Sequence, residues 1–188
     1  LSTVAYRIDG KPSYALEGSI FVAGVAIQWL RDQLGLIEHA AETADAFART
    51  KGETNGVYVV PAFTGLGAPY WQPQARGLIS GLTLDSDKDQ IIIAFLQSVA
   101  FQTRTLLDAM AADGAPVTTL RVDGGMVVNE AFCQFLCDVL DVPVQRPADV
   151  ETTVRGAGLL AAIGAGLFAD LAEAAALWQL GQDYAPAM

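Results

Sequence analysis

The strongest chemical signal is the run Leu120-Arg-Val-Asp-Gly-Gly-Met-Val-Val-Asn129. A β-prone stretch enters two glycines and leaves as a helix. Glycine lets the backbone approach a ligand closely. The first turn of a helix offers N–H groups without an intrahelical acceptor, which suits phosphate. Gly124 and Gly125 would form that approach, and Asn129, where the helix begins, would reach the ligand. The same pattern also describes a plain strand–turn–helix, and it is shorter than a full P-loop. A second signal is Gly24 with Gln28, spaced i, i+4 and so on one helical face. A glycine inside a helix costs roughly 1 kcal/mol relative to alanine. Close helix packing or a ligand must compensate.

Other candidates carry less. Gly156, Gly158, Gly164 and Gly166 form a small-residue stripe that predicts close helix–helix or helix–sheet packing. Phe63-Thr-Gly-Leu-Gly67 lacks the Lys-Ser/Thr ending of a P-loop. Tyr70-Trp71 reads as an anchored loop rather than a stacking platform. Cys133 and Cys137 are too few for a zinc set and read as buried, hydrophobe-like thiols. His39 reads as a surface residue. Asp123 either belongs to a polar site or caps its turn. Asp85, Asp87 and Asp89 favour the start of a long helix through its dipole. Carboxylates are plentiful but none is placed by the sequence as a general base, and one His with two Cys leaves no conventional zinc set, so no metal site is expected.

The elements that must position these residues alternate. Leu1–Tyr6 and Pro12–Leu16 flank Asp9-Gly10-Lys11, a hairpin signal. Ser19 predicts an N-cap for a helix over Ile20–Gln33, with Ile20, Ala23, Ile27, Leu30 and Leu34 inward and Gly35 as its stop. A second helix is expected over His39–Lys51, stopped by Gly52. Val57–Pro61 predicts a buried strand, 62–74 a long loop, and Leu78–Leu82 a strand. Ser86 or Asp87 caps a long helix to Ala112, with Ile91, Phe95, Val99 and Leu106 on its core side. Thr118–Val122 and Val142–Gln145 predict strands around a helix over Asn129–Leu140. Thr152 or Thr153 caps a helix over Arg155–Gly166, and Leu171–Leu180 predicts a weaker one. Strands alternating with helices give an α/β class, and one lobe over 1–188 is the simplest division.

Composition bounds the function. The chain has 188 residues, 52% hydrophobic and 17% charged, which supports a sizeable core and excludes bulk disorder. Its net charge of −10 argues against a nucleic-acid surface. A nucleotide held by backbone N–H groups remains open. The apolar stretch Ala157 to Ala169 is interrupted by glycines and falls short of the ~20 residues of a membrane span. No signal peptide is visible and Leu1 is not an initiator Met, so the chain is expected to be a cytoplasmic piece of a larger protein. A mean hydropathy of +0.34 suggests apolar surface that faces a partner or another part of the same protein.

Three stretches together resemble the FGGY carbohydrate kinases of the actin-like ATPase superfamily, specifically their C-terminal half. They are Tyr14-Ala-Leu-Glu-Gly-Ser-Ile-Phe-Val-Ala-Gly-Val-Ala-Ile-Gln-Trp-Leu-Arg-Asp32, Gly56-Val-Tyr-Val-Val-Pro-Ala-Phe-Thr-Gly-Leu-Gly-Ala-Pro-Tyr-Trp71 and Leu120-Arg-Val-Asp-Gly-Gly125. A further signature of the family fits at Gly77, Ile79, Gly81, Leu82, Gln90, Ile91, Ala94 and Gln97. Phe95 departs from it, standing where a small or aliphatic residue is usual, which predicts local repacking. The loop ending in Tyr70-Trp71 is more similar to the glycerol-phosphorylating branch than to the pentulose kinases.

The resemblance implies a ribonuclease H-like lobe, a mixed sheet flanked by helices, that holds part of an adenine nucleotide. By residue matching, it implies nucleotide contacts at Gly24, Gln28, Gly124, Gly125 and Asn129. It places the catalytic base and the substrate-binding residues in an N-terminal catalytic domain outside this chain. The implied reaction is ATP- and Mg2+-dependent phosphorylation of glycerol, with this half supplying the adenosine pocket. The implied partners are a small nucleotide, the missing N-terminal domain and further copies in a homo-oligomer, with no nucleic acid and no membrane span. A pentulose kinase of the same family and a non-catalytic nucleotide-binding module are the alternatives. A Rossmann dehydrogenase is disfavoured, because Asp-Gly-Gly lacks the third glycine of a dinucleotide fingerprint.

Overall fold

The computed structural model describes residues 2–8 and 10–187. They divide into two compact units, one ending at Val117 and the other beginning at Thr118.

In the first unit, β1 (Ser2–Ile8) and β2 (Lys11–Leu16) form the expected antiparallel hairpin, with Gly10 at φ +76° in the turn. Leu1 and Asp9 of that expectation lie outside the described residues. The helix expected from Ile20 starts later, as α1 (Gly24–Asp32). Ser19 does not cap it; Ala23 occupies the cap position without a side-chain hydrogen bond. The buried face is Ala26, Ile27 and Leu30, while Leu34 is exposed. α2 (Glu42–Thr50) also starts later than expected. The Glu42 carboxylate turns back to accept the backbone N–H groups of Glu38 and His39 at 2.8 and 2.7 Å, which holds 38–41 outside the helix.

β3 (Tyr58–Val60) pairs antiparallel with β4 (Leu78–Ser80). Val59 is buried but Tyr58 and Val60 are exposed, so β3 is one-sided rather than the fully buried strand expected. Gly81 follows β4 at φ +82°, and a Cβ there would collide with the Gly56 carbonyl oxygen. That packing alone requires glycine at this signature position.

α3 (Lys88–Ala112) begins in a capping box. Asp87 accepts the N–H groups of Asp89 and Gln90, and the Gln90 side chain accepts the N–H of Asp87. Such a cap contributes about 1 kcal/mol. A single core-facing stripe was expected, but 92–100 is buried on every side. α1, α2 and β3 all pack on this helix. Its buried polar groups are satisfied: Gln97 Nε2 donates to the Gly52 carbonyl at 2.7 Å and Ser98 Oγ to the Phe95 carbonyl at 2.6 Å. Phe95 sits in an aromatic cluster, with ring centroids 5.6 Å from Trp29 and 6.0 Å from Phe63.

In the second unit, β5 (Leu120–Arg121) runs parallel to β6 (Val144–Pro147), which pairs antiparallel with β7 (Leu180–Tyr184). The sheet is therefore mixed. A 3₁₀ turn over Gly125–Val128 and α4 (Glu130–Leu140) link β5 to β6, and α4 buries Phe132, Cys133, Leu136, Cys137 and Leu140. α5 (Thr152–Gly164) starts at Thr152, so neither Thr152 nor Thr153 is its cap; Glu151 holds that position without a side-chain bond. The expected helix over Leu171–Leu180 is only α6 (Leu171–Ala175), and its last expected residue, Leu180, opens β7. The extra strand forms because β6 offers a free edge, a tertiary partner that local propensity does not register.

The glycine stripe on α5 departs most from expectation. None of the residues of α5 is buried, and a Cβ at Gly156, Gly158, Gly164 or Gly166 would meet nothing within 4 Å. The close packing that those glycines predict is absent among the described residues.

Candidate functional site

Gly24 is the first residue of α1, not an interior one. The helix-interior cost argued from the sequence therefore does not apply to it. Gln28, four residues on, is exposed, so the pair lies on one accessible face. No side chain caps the α1 start, so the N–H groups of its first turn depend on the Ala23 carbonyl, water or a ligand.

Gly124, Gly125 and Asn129 come together at the carboxyl end of β5. Gly124 has φ +85° and ψ −179°, a conformation that side chains rarely adopt. Its N–H donates to the Val150 carbonyl at 3.1 Å, so its contribution is conformational. Gly125 differs. It opens the 3₁₀ turn, where the N–H has no partner within the turn. Its φ lies outside the left-handed region, and a Cβ there would meet nothing within 4 Å. Neither backbone nor packing requires glycine at this position. What a side chain would occupy there is open space in front of the turn.

Asn129 is 8% exposed and caps α4, its Oδ1 accepting the Phe132 N–H at 3.1 Å. That bond fixes the amide plane beside the turn. Asp123, left open between a polar site and a turn cap, accepts a hydrogen bond from the Thr152 hydroxyl, tying the turn to the start of α5. Because β5 and β6 are parallel, the segments that follow them emerge at the same edge, the usual ligand edge of such sheets.

The thiols behind this turn are buried. Burial pushes the Cys133 thiol up to about 11, and Cys137 is raised for the same reason. Cys133 Sγ contacts the Val127 carbonyl at 3.3 Å and Cys137 Sγ the Val142 and Tyr184 carbonyls at 3.2 Å each. Both are free, buried cysteines, as expected. His39 is exposed, also as expected.

Sequence reasoning passed over Arg146 on β6. Its guanidinium reaches under the 3₁₀ turn, Nη1 donating to the Val127 carbonyl at 3.0 Å and Nη2 to the Glu130 carboxylate at 3.2 Å. The available signal was a cation beside the buried Pro147 in a short strand.

A model of the C-terminal domain of the FGGY family of carbohydrate kinases matches residues 2–165. Glycerol kinase 1 of Pseudomonas aeruginosa is 57% identical over 188 residues, all of this chain and 38% of its own length. The crystal structure of Plasmodium falciparum glycerol kinase with ADP superposes with a TM-score of 0.86 at 34% identity, over 100% of this chain and 38% of that one. A xylulose kinase from Rhodospirillum rubrum reaches a TM-score of 0.76 at 26% identity, covering 93% of this chain and 36% of its own. The chain thus spans well under half the length of the relatives it matches. Their shared fold is the α/β lobe of the actin-like ATPases, as the motifs implied. Matched by the family over most of its length and superposing throughout on a solved relative, the chain belongs to the FGGY family of carbohydrate kinases, as a C-terminal domain.

Proposed function

We propose that the polypeptide carrying this chain is an ATP-dependent glycerol kinase, and that this domain holds the adenosine part of the nucleotide. The observation that carries the reading is Gly125: a glycine required by nothing in its own surroundings, facing open space beside a turn whose leading N–H groups are unpaired within it. A nucleotide at that turn would account for it. In the second unit Gly124 would shape the turn and Asn129 address the base; Gly24 and Gln28, on α1 of the first unit, are the other nucleotide contacts that the family resemblance implies.

In this reading, the terminal hydroxyl oxygen of glycerol bonds to the γ-phosphorus of ATP as the bond to the β,γ-bridging oxygen breaks. ADP leaves, and the hydroxyl proton passes to a carboxylate outside this chain. The present residues act by orientation: backbone donors at the turn favour one nucleotide pose. Among the described residues no three or more His, Cys, Asp or Glu side chains gather to hold a metal ion. Mg2+ would accompany the phosphates on residues elsewhere, and no step here depends on it. The same reading has the enzyme cytoplasmic and homo-oligomeric, and the remainder of the polypeptide seated on the bare face of α5. Among the described residues, no helix is long and apolar enough to cross a membrane.

The test is made on the intact polypeptide. Glycerol phosphorylation by ATP is expected, with pentuloses as the competing substrates; turnover of a pentulose alone would move the protein to the other branch. Gly125→Val is expected to weaken ADP binding about tenfold or more, close to 1.4 kcal/mol, with little change in Tm. Unchanged affinity in both Gly125→Val and Asn129→Ala would remove the proposed pocket.

A further inference from the structure

One end of the turn that the nucleotide reading uses is held by a side chain from β6. Arg146 projects from β6 with its side chain only 18% exposed. Nη1 donates to the Val127 carbonyl at 3.0 Å and, more weakly, to the Val128 carbonyl at 3.4 Å. Nη2 donates to Glu130 Oε1 at 3.2 Å. These partners lie on either side of Asn129. The guanidinium therefore spans the residue, gripping the end of the 3₁₀ turn with one nitrogen and the first residue of α4 with the other. The opposite end of the turn is fixed by the Gly124 N–H on the Val150 carbonyl and by Asp123 on the Thr152 hydroxyl. Both anchors come from β6 or the segment after it. The turn's own hydrogen bonds are long, Val127 N–H to the Gly124 carbonyl at 3.3 Å and Asn129 N–H to the Met126 carbonyl at 3.2 Å.

We infer that Arg146 is a positioning residue for nucleotide binding, holding Gly125 and Asn129 in the pose that receives the ligand. The inference rests on the nucleotide reading above. A planar fork is needed to span two carbonyls and a carboxylate at once, which a lysine point charge cannot do. Ordering the turn before the ligand arrives removes that cost from binding. Arg146 itself needs no contact with the ligand.

The experiment measures ADP affinity by calorimetry in the intact polypeptide, with Tm recorded in parallel. If the parent binds no ADP, the nucleotide reading itself fails. If the parent binds, Arg146→Met is expected to weaken ADP about tenfold, and Arg146→Lys about threefold or more. Asn129→Ala combined with Arg146→Met is expected to be no weaker than the worse single variant, because both act through one pose. A purely structural role would lower Tm while leaving the affinity of the folded protein within about twofold, and that result overturns the inference. So does an additive double-mutant cycle. Glu130→Ala removes the acceptor of one arm of the grip at a side chain that is 70% exposed, so it keeps the fold. It is expected to weaken ADP about twofold to threefold. Should Arg146→Met not fold, an unchanged affinity in Glu130→Ala overturns the inference in its place.

Discussion

α3 and α5 are both apolar helices, yet their surroundings are opposite. α3 has no charged residue from Gln90 to Thr103, and 92–100 is buried on every side. α5 has a single charged residue, Arg155, and buries nothing. A helix that is hydrophobic all round belongs in an interior. α3 finds that interior within its own unit, between α1, α2 and β3. α5 presents Val154 and Leu160 to the outside, with glycines between them. Glycine weakens a helix unless a neighbour comes close, and no neighbour does so here. Apolar character therefore marks a helix as suited to an interior. It does not say that the cover lies in the same stretch of chain.

Four changes would break or sharpen this contrast. Truncating α3 at its centre is expected to cost most: Phe95→Ala removes a ring that is 1% exposed and should cost about 3–5 kcal/mol, read by urea unfolding of this chain. A loss below about 1 kcal/mol would mean that α3 is not the core. Next, Gly158→Leu should stabilise this chain alone by somewhat under about 1 kcal/mol, but cost about 1–3 kcal/mol in the intact polypeptide if the remainder seats on this face as proposed. Equal effects in the two forms would show that nothing seats on α5. Smaller still, Gly158→Ala should stabilise this chain alone by up to about 1 kcal/mol, seen as a raised Tm.

The smallest change concerns the start of α3. The Arg49 guanidinium hydrogen-bonds Asp89 at 2.6 Å and, against the opposing effect of burial, holds its carboxyl below the usual carboxylate range. A depressed folded-state value contributes stability that is present above the unfolded-state value. That contribution is lost as pH falls through the folded one. The Tm gap between the parent and Asp89→Asn should therefore be open at pH 7 and close in acid below about pH 4. A gap that is constant across that range would show that the pair contributes nothing through its charge.

Much of the fold was legible because it is locally encoded. The hairpin turn at Gly10, the Asp87 cap with Gln90 at N3, and the Asp-Gly-Gly turn each declare themselves through a backbone conformation or a hydrogen bond within a few residues. Where the reading slipped, the deciding partner was distant or unexpected. The late start of α2 is set by the Glu42 carboxylate folding back, and β7 exists because β6 has an edge to pair with. The full burial of 92–100 depends on three elements closing round one helix.

The candidate site divides in the same way. Residue types and spacing alone picked out Gly124, Gly125 and Asn129, because a glycine turn running into a helix is written in consecutive residues; Gly24 and Gln28 were picked out as a helix-interior pair, whereas Gly24 opens α1. Only the tertiary structure separated the roles of the two adjacent glycines, one required by its φ and the other by nothing in the chain. Only it brought Arg146 beneath the turn from a strand 16 residues beyond Glu130. A turn's shape follows from its own backbone, which the sequence specifies locally. What holds that shape still is a contact across the sheet, and such contacts exist only once the strands have paired.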